Sequence, residues 1–194
     1  MFHIQIAIFA SGAGTNAQNI INYFRNNIVI RIALIVVNNP AAGVIKIAEK
    51  ENIPWILLDK KRFNEDGYVM EFEKYYLKLI VLAGFLWKIP PVLIQKYPGR
   101  IINIHPALLP KYGGKGMYGY NVHAAVIAAK DKESGITIHY VDEIYDHGKI
   151  IFQARCPVEP TDTPPSLAVK IHALEYEYYP TVIDELITSP LWPL

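Results

Sequence analysis

Asn103 and His105 stand two residues apart where the apolar run Ile101 to Ile104 gives out. In an extended segment that spacing turns both side chains to one face. A neutral imidazole titrates at about pH 6.5, so it can hold or release a proton around neutrality. An Asn amide can donate to a developing oxyanion without titrating at all. Pro106 and Pro110 follow and stiffen the chain beyond the pair. On these residues alone two readings stand: a reaction centre, or a strand that stops at a proline beside a structural histidine.

A second cluster lies at Asp142–Gly148, with three carboxylates, Asp142, Glu143 and Asp146, among seven residues. A carboxylate beside an imidazole raises its pKa and fixes its orientation. The other reading is a solvated acidic loop between two strands. A third cluster, Ser11-Gly12-Ala13-Gly14-Thr15-Asn16, comes directly after an apolar run and ahead of a helical pattern. Backbone N–H groups at a helix start carry partial positive charge and suit an anion. Thr15 and Asn16 can cap that helix or donate to a phosphate.

Gly12 to Ala17 also fits the dinucleotide pattern G-x-G-x-x-A. The second strand, however, ends Val36-Val37-Asn38-Asn39, without the carboxylate that holds a ribose diol. A phosphate monoester is expected here ahead of a dinucleotide; the alternative is a glycine turn needed only for packing. Gly113-Gly114-Lys115-Gly116 is either a segment that closes over a ligand or a mobile surface loop. The six histidines are scattered, without H-x-x-x-H or H-E-x-x-H. The single cysteine, Cys156, allows neither an intramolecular disulfide nor a CxxC knuckle. No metal is expected, and a reducing cytoplasmic setting is.

The elements that must position these clusters follow from the apolar pattern. Near-continuous runs at Ile4–Phe9, Ile32–Val37, Trp55–Leu58, Leu79–Leu82 and Ile101–Ile104 predict strands covered on both faces, as in a parallel sheet. Helical spacing at Ala17–Arg25, Ala42–Glu51 and Pro91–Lys96 lies between them. The alternation predicts an α/β, Rossmann-like, doubly wound architecture. Gly135–Val141 and Lys149–Cys156 predict a hairpin or edge strands that make the sheet mixed. A last helix is expected from about Pro164 to Leu186, interrupted or bent at Pro180.

The 194 residues suit one domain, 1–194, with 1–100 as a phosphate- or nucleotide-binding half and 101–194 as a catalytic half. A net charge of +1 argues against bulk nucleic-acid binding, which needs a concentrated basic face. The apolar N-terminus lacks a preceding Lys or Arg and is too short to span a bilayer, so neither signal peptide nor membrane anchor is expected.

Asn103-Ile104-His105-Pro106-Ala107-Leu108-Leu109-Pro110 resembles the N-I-H-P-S-L-L-P signature of the folate-dependent formyltransferases. Ser11 to Asn16, Leu82-Ala83-Gly84-Phe85, Asp142 to Gly148, and Glu175 with Tyr179-Pro180 agree in the same order, so the resemblance covers nearly the whole chain. It points to the branch that acts in purine biosynthesis. There a formyl group passes from N10 of 10-formyltetrahydrofolate, a co-substrate, to the amine of glycinamide ribonucleotide.

By that resemblance, His105 stabilises the tetrahedral oxyanion and protonates the leaving nitrogen, Asn103 donates to the same oxygen, and Asp146 holds the His. Gly14, Thr15 and Asn16 would hold the substrate phosphate, and His172 and Glu175 the glycinamide ribonucleotide end. Leu86, Trp87, Lys88 and Ile89, with Asn103 and with Asp142, Glu143, Ile144, Tyr145 and Asp146, would line the pterin site, largely through backbone groups. The resemblance implies small-molecule partners, neither nucleic acid nor membrane, and a monomer or homodimer. Leu86-Trp87-Lys88 departs from the Met-Arg type of sequence that many relatives carry. Alternative acceptors are a methionyl-tRNA or an amino sugar; the tRNA enzymes usually carry a C-terminal domain and a basic surface.

Overall fold

The computed structural model describes residues 3–190 and Trp192; Met1 and Phe2, at the head of the apolar N-terminal run, lie outside the described residues. In chain order the elements are β1 (Ile4–Ala10), α1 (Thr15–Phe24), β2 (Ile30–Val37), α2 (Val44–Lys50), β3 (Trp55–Leu57), α3 (Lys60–Asp66), α4 (Val69–Glu73), β4 (Leu77–Leu82) and α5 (Pro91–Lys96). There follow β5 (Ile101–His105), α6 (Tyr120–Ala128), β6 (Glu133–Tyr140), β7 (Ile150–Pro157) and α7 (Pro164–Thr188). The strands form one sheet in the order β3-β2-β1-β4-β5-β6-β7. Two compact units divide within β5, one running to Ile102 and the other spanning Asn103–Trp192.

In the first unit β1 pairs in parallel with β2 and with β4, and β2 in parallel with β3. Ile6 to Ala10 and Leu79 to Val81 are wholly buried, as strands covered on both faces require. Phe9 meets Phe72 and Phe85 edge-on, with ring centroids 5.5 and 5.3 Å apart, an arrangement the ring quadrupoles favour. α3 and α4 fill the stretch before β4, where no helix was expected from the apolar pattern.

In the second unit β6 and β7 are an antiparallel hairpin with Gly135 opposite Arg155 and Ile138 opposite Phe152. The sheet is therefore mixed at this end, as the sequence predicts. α7 begins with a capping box in which Thr163 accepts from the Ser166 amide and Ser166 Oγ from the Thr163 amide. Leu167, Ile171, Tyr179, Ile183 and Ile187 form its buried stripe. The expected interruption at Pro180 is absent: one helix runs through it to Thr188. The Thr181 hydroxyl lies 2.9 Å from the Tyr178 carbonyl and supplies a side-chain donor in the turn where the proline has no N–H.

Candidate active site

In the second unit Asn103, His105 and Asp146 come together, and His139 of β6 joins them. His105 ends β5 and is 3% exposed. Its Nε2 lies 2.7 Å from the Tyr112 carbonyl oxygen. A carbonyl only accepts, so Nε2 carries the proton and Nδ1 is the atom left for chemistry. Nδ1 sits 3.6 Å from Asp146 Oδ2. That separation exceeds a hydrogen bond.

Burial pushes the His105 pKa below its usual value, and nearby His139 lowers it further. The Asp146 charge and the Tyr112 carbonyl pull it up without winning. Asp146 of the acidic loop thus raises this imidazole's pKa, as expected of a carboxylate, but the net shift is downward. Desolvation of a nearly enclosed cation outweighs one carboxylate beyond hydrogen-bonding range. His105 is accordingly neutral at pH 7.

Asn103 Nδ2 lies 3.1 Å from His139 Nε2, and His139 Nδ1 lies 2.8 Å from the Tyr140 carbonyl. Nδ1–H therefore donates to the carbonyl, and Nε2 accepts from the amide. His139 is neutral in this arrangement; burial depresses its pKa against the pull of the Tyr140 carbonyl, Asp146 and Asp142. The pairing fixes which end of the Asn103 amide is nitrogen and leaves one N–H of that group uncommitted to His139. Asp146 Oδ1 lies 3.7 Å from the same His139 Nε2.

Asp146 adopts a left-handed backbone, φ 55°, uncommon for a residue with a Cβ. Its Oδ2 accepts from the Gly114 amide at 2.9 Å. Gly113 makes that approach possible, since a Cβ there would lie 2.7 Å from Leu109 Cδ2 and 3.2 Å from Asp146 Cβ. Tyr112 to Gly114 thus forms the wall that holds both His105 and Asp146. Behind it, the Thr137 hydroxyl donates to the Ala107 carbonyl at 2.6 Å and accepts from the Leu109 amide at 3.0 Å. Gln153 Nε2 donates to that hydroxyl and to the Leu109 carbonyl.

The rest of the acidic loop is turned to other work. Asp142 Oδ2 pairs with His147 Nδ1 at 2.9 Å, and Oδ1 accepts from the Ile144 amide. Burial pushes the Asp142 carboxyl up, but His147 and the Ile144 amide together hold it below its usual value. Glu143, Ile144 and Tyr145 are exposed. On α7, His172 stacks on Tyr176 with ring planes 19° apart, and Glu175 is buried. His123 of α6, which sequence reasoning passed over, is 4% exposed, and burial with His172 and His105 nearby keeps it neutral.

In the first unit, Gly14 is the N-cap residue of α1, with φ 80°, and α1 has no side-chain cap. Thr15 is exposed and Asn16 half-buried. A Cβ at Gly14 would lie 2.6 Å from Val44 Cβ, so the loop packs directly on α2. Ser11 Oγ accepts from the Leu86 amide at 2.9 Å. Leu86 and Lys88 are exposed and Ile89 is buried. Trp87 packs on Phe63 and Phe85, with Lys60 Nζ 5.8 Å from its ring centroid. Among the described residues no group of three His, Cys, Asp or Glu is placed to hold a metal ion, and no helix is long and apolar enough to cross a membrane.

Comparisons with known proteins converge on one family. The family model described as formyl transferase matches residues 4–183. The phosphoribosylglycinamide formyltransferase of Bacillus subtilis is 37% identical over 189 residues, covering 94% of each chain. The chloroplastic phosphoribosylglycinamide formyltransferase of Arabidopsis thaliana is 39% identical over 94% of this chain, which spans 65% of that relative's length. The chain spans 60% of the corresponding protein of Vigna unguiculata. The crystal structure of phosphoribosylglycinamide formyltransferase from Bacillus halodurans superposes with a TM-score of 0.88 at 35% identity, covering 98% of this chain and all of that one. With the N-I-H-P segment and its partners gathered around β5, and a match that spans the fold nearly end to end, the chain belongs to the formyl transferase family.

Proposed function

We propose that this chain transfers the formyl group of 10-formyltetrahydrofolate to the amine of glycinamide ribonucleotide, giving formylglycinamide ribonucleotide and tetrahydrofolate, in purine biosynthesis. The observation that carries the reading is the set of a neutral imidazole with a free Nδ1, an oriented amide and a carboxylate around β5. That is an acyl-transfer set and needs no metal: a proton carrier, an oxyanion donor and a carboxylate whose charge stabilises the carrier's protonated form.

The amine nitrogen attacks the formyl carbon, and a tetrahedral centre with a developing oxyanion forms. Asn103 donates its N–H to that oxygen. Negative charge beside Nδ1 favours the protonated imidazole, so His105 gains a proton there as the amine loses one. Asp146 stabilises the imidazolium. Collapse breaks the carbon–N10 bond, and His105 delivers the proton to N10. One proton has moved from amine to N10, and the enzyme is regenerated. The formyl group on N10 is already activated, so holding the two substrates in register supplies the largest share, roughly 7–11 kcal/mol. An oxyanion donor adds about 3–4 kcal/mol.

Gly14, Thr15 and Asn16 hold the phosphate at the uncapped start of α1. His172 and Glu175 take the glycinamide ribonucleotide end. Leu86 to Ile89 and Asp142 to Asp146 line the pterin site, for which the exposed Ile144, Tyr145 and Leu86 supply apolar surface. Residues 1–100 form the phosphate-binding half and 101–194 the catalytic half. The lone, half-buried thiol of Cys156 suits a reducing cytoplasm. The test is turnover: folded wild-type protein with both substrates yields tetrahydrofolate, and a folded protein that yields none sinks the reading.

A further inference from the structure

The catalytic imidazole is held by a main-chain atom whose own position needs support. His105 Nε2 donates to the carbonyl of Tyr112, and Tyr112 has φ 57°, in the left-handed region that a residue with a Cβ rarely takes. Such a conformation persists only where surrounding contacts determine it. The phenol of the same residue provides one: Tyr112 Oη donates to Asp131 Oδ2 at 2.9 Å. Lys111 Nζ reaches that oxygen too, at 3.2 Å. Asp131 lies in the short connection between α6 and β6, so it is tied to the sheet through β6.

We propose that Asp131 is a positioning residue for the formyl transfer, acting through Tyr112 to keep the proton of His105 on Nε2 and Nδ1 free for the reacting oxygen and nitrogen. The inference rests on the proposed function only for its catalytic consequence. The phenol–carboxylate bond is the working part; the Lys111 ammonium, largely exposed, adds little. Neither Asp131 nor the Tyr112 side chain touches the reacting atoms. Their effect runs through the carbonyl alone. The titratable groups around His105 are Asp146, His139 and His123, and none of them bonds its Nε2.

The test compares Tyr112→Phe, Asp131→Ala and Asp131→Asn with wild type, in turnover and in nitrogen-15 spectra of the His105 ring. Wild type shows a single tautomer with the proton on Nε2. Tyr112→Phe and Asp131→Ala give a mixture of tautomers and a kcat about tenfold lower with KM little changed, the loss expected for one charge-assisted bond. Asp131→Asn, which still accepts from the phenol, recovers most of that loss. The double variant Tyr112→Phe with Asp131→Ala is no worse than either alone. A folded Tyr112→Phe protein with the wild-type tautomer overturns the proposal. The spectra need no turnover, so a wild type that transfers no formyl group would sink the proposed function while the strut is still judged by the tautomer.

Discussion

Replacing Thr137 by valine tests how rigidly the backing of the active-site segment is built. Thr137 is wholly buried, and its hydroxyl joins the Ala107 carbonyl, the Leu109 amide and the Gln153 side chain at 2.6, 3.0 and 2.9 Å. Valine fills nearly the same volume but can neither donate nor accept. The Ala107 carbonyl and the Leu109 amide are then buried without partners, whereas Gln153 keeps its 3.1 Å bond to the Leu109 carbonyl. Two unsatisfied buried groups cost about 1–3 kcal/mol each. The new methyl returns about 0.8 kcal/mol by burial. The net expectation is a loss of about 3 kcal/mol, read as a lower urea midpoint with an unchanged m-value. Because the freed segment carries His105 at one end and Tyr112 at the other, kcat should fall as well. A stability loss below about 1 kcal/mol would refute the reasoning, since it would mean that water or relaxation satisfies both groups.

Gly14→Ala should destabilise twice over: its left-handed φ costs about 1–2 kcal/mol in any residue with a Cβ. The clash with Val44 adds about 1–3 kcal/mol; a urea titration measures the sum, and the KM for the phosphate-bearing substrate should rise more than that for the folate. His105, His123 and His139 all have pKa values depressed by burial. The unfolded chain then binds more protons than the folded one below about pH 6.5, so stability is full above that pH and is lost as pH falls towards the folded values. Urea midpoints at about pH 7.5 and about pH 5.5 measure this, and a midpoint that rises on acidification would contradict it.

Much of the scaffold was legible because β1, β2, β4 and β5 are largely buried on both faces. β3, the edge strand, is an apolar run whose Trp55 and Leu57 are exposed rather than covered as expected. β1 to β5 announce themselves as apolar runs, and the errors fall at the ends, where Arg31 in β2 and Lys78 in β4 break the pattern. α3 was invisible for the opposite reason. Lys60 to Asp66 carries one buried apolar residue, Phe63, which makes no stripe. α6 is apolar almost all round, so it has no polar face to mark its period. The pairing of Asn103 with His105 follows from strand alternation alone. His139 does not. It sits inside a strand pattern, 36 residues from Asn103, and only the sheet brings the two together. The direction of the His105 pKa was equally out of reach, because it depends on burial that only the folded chain creates.

The central claim, that His105 carries the proton in a formyl transfer, is tested most directly by assaying wild type and His105→Ala side by side with 10-formyltetrahydrofolate and glycinamide ribonucleotide. Wild type should produce tetrahydrofolate, and the variant should fold normally while losing about 10²–10⁴ in kcat. A His105→Ala enzyme with wild-type turnover would contradict the account.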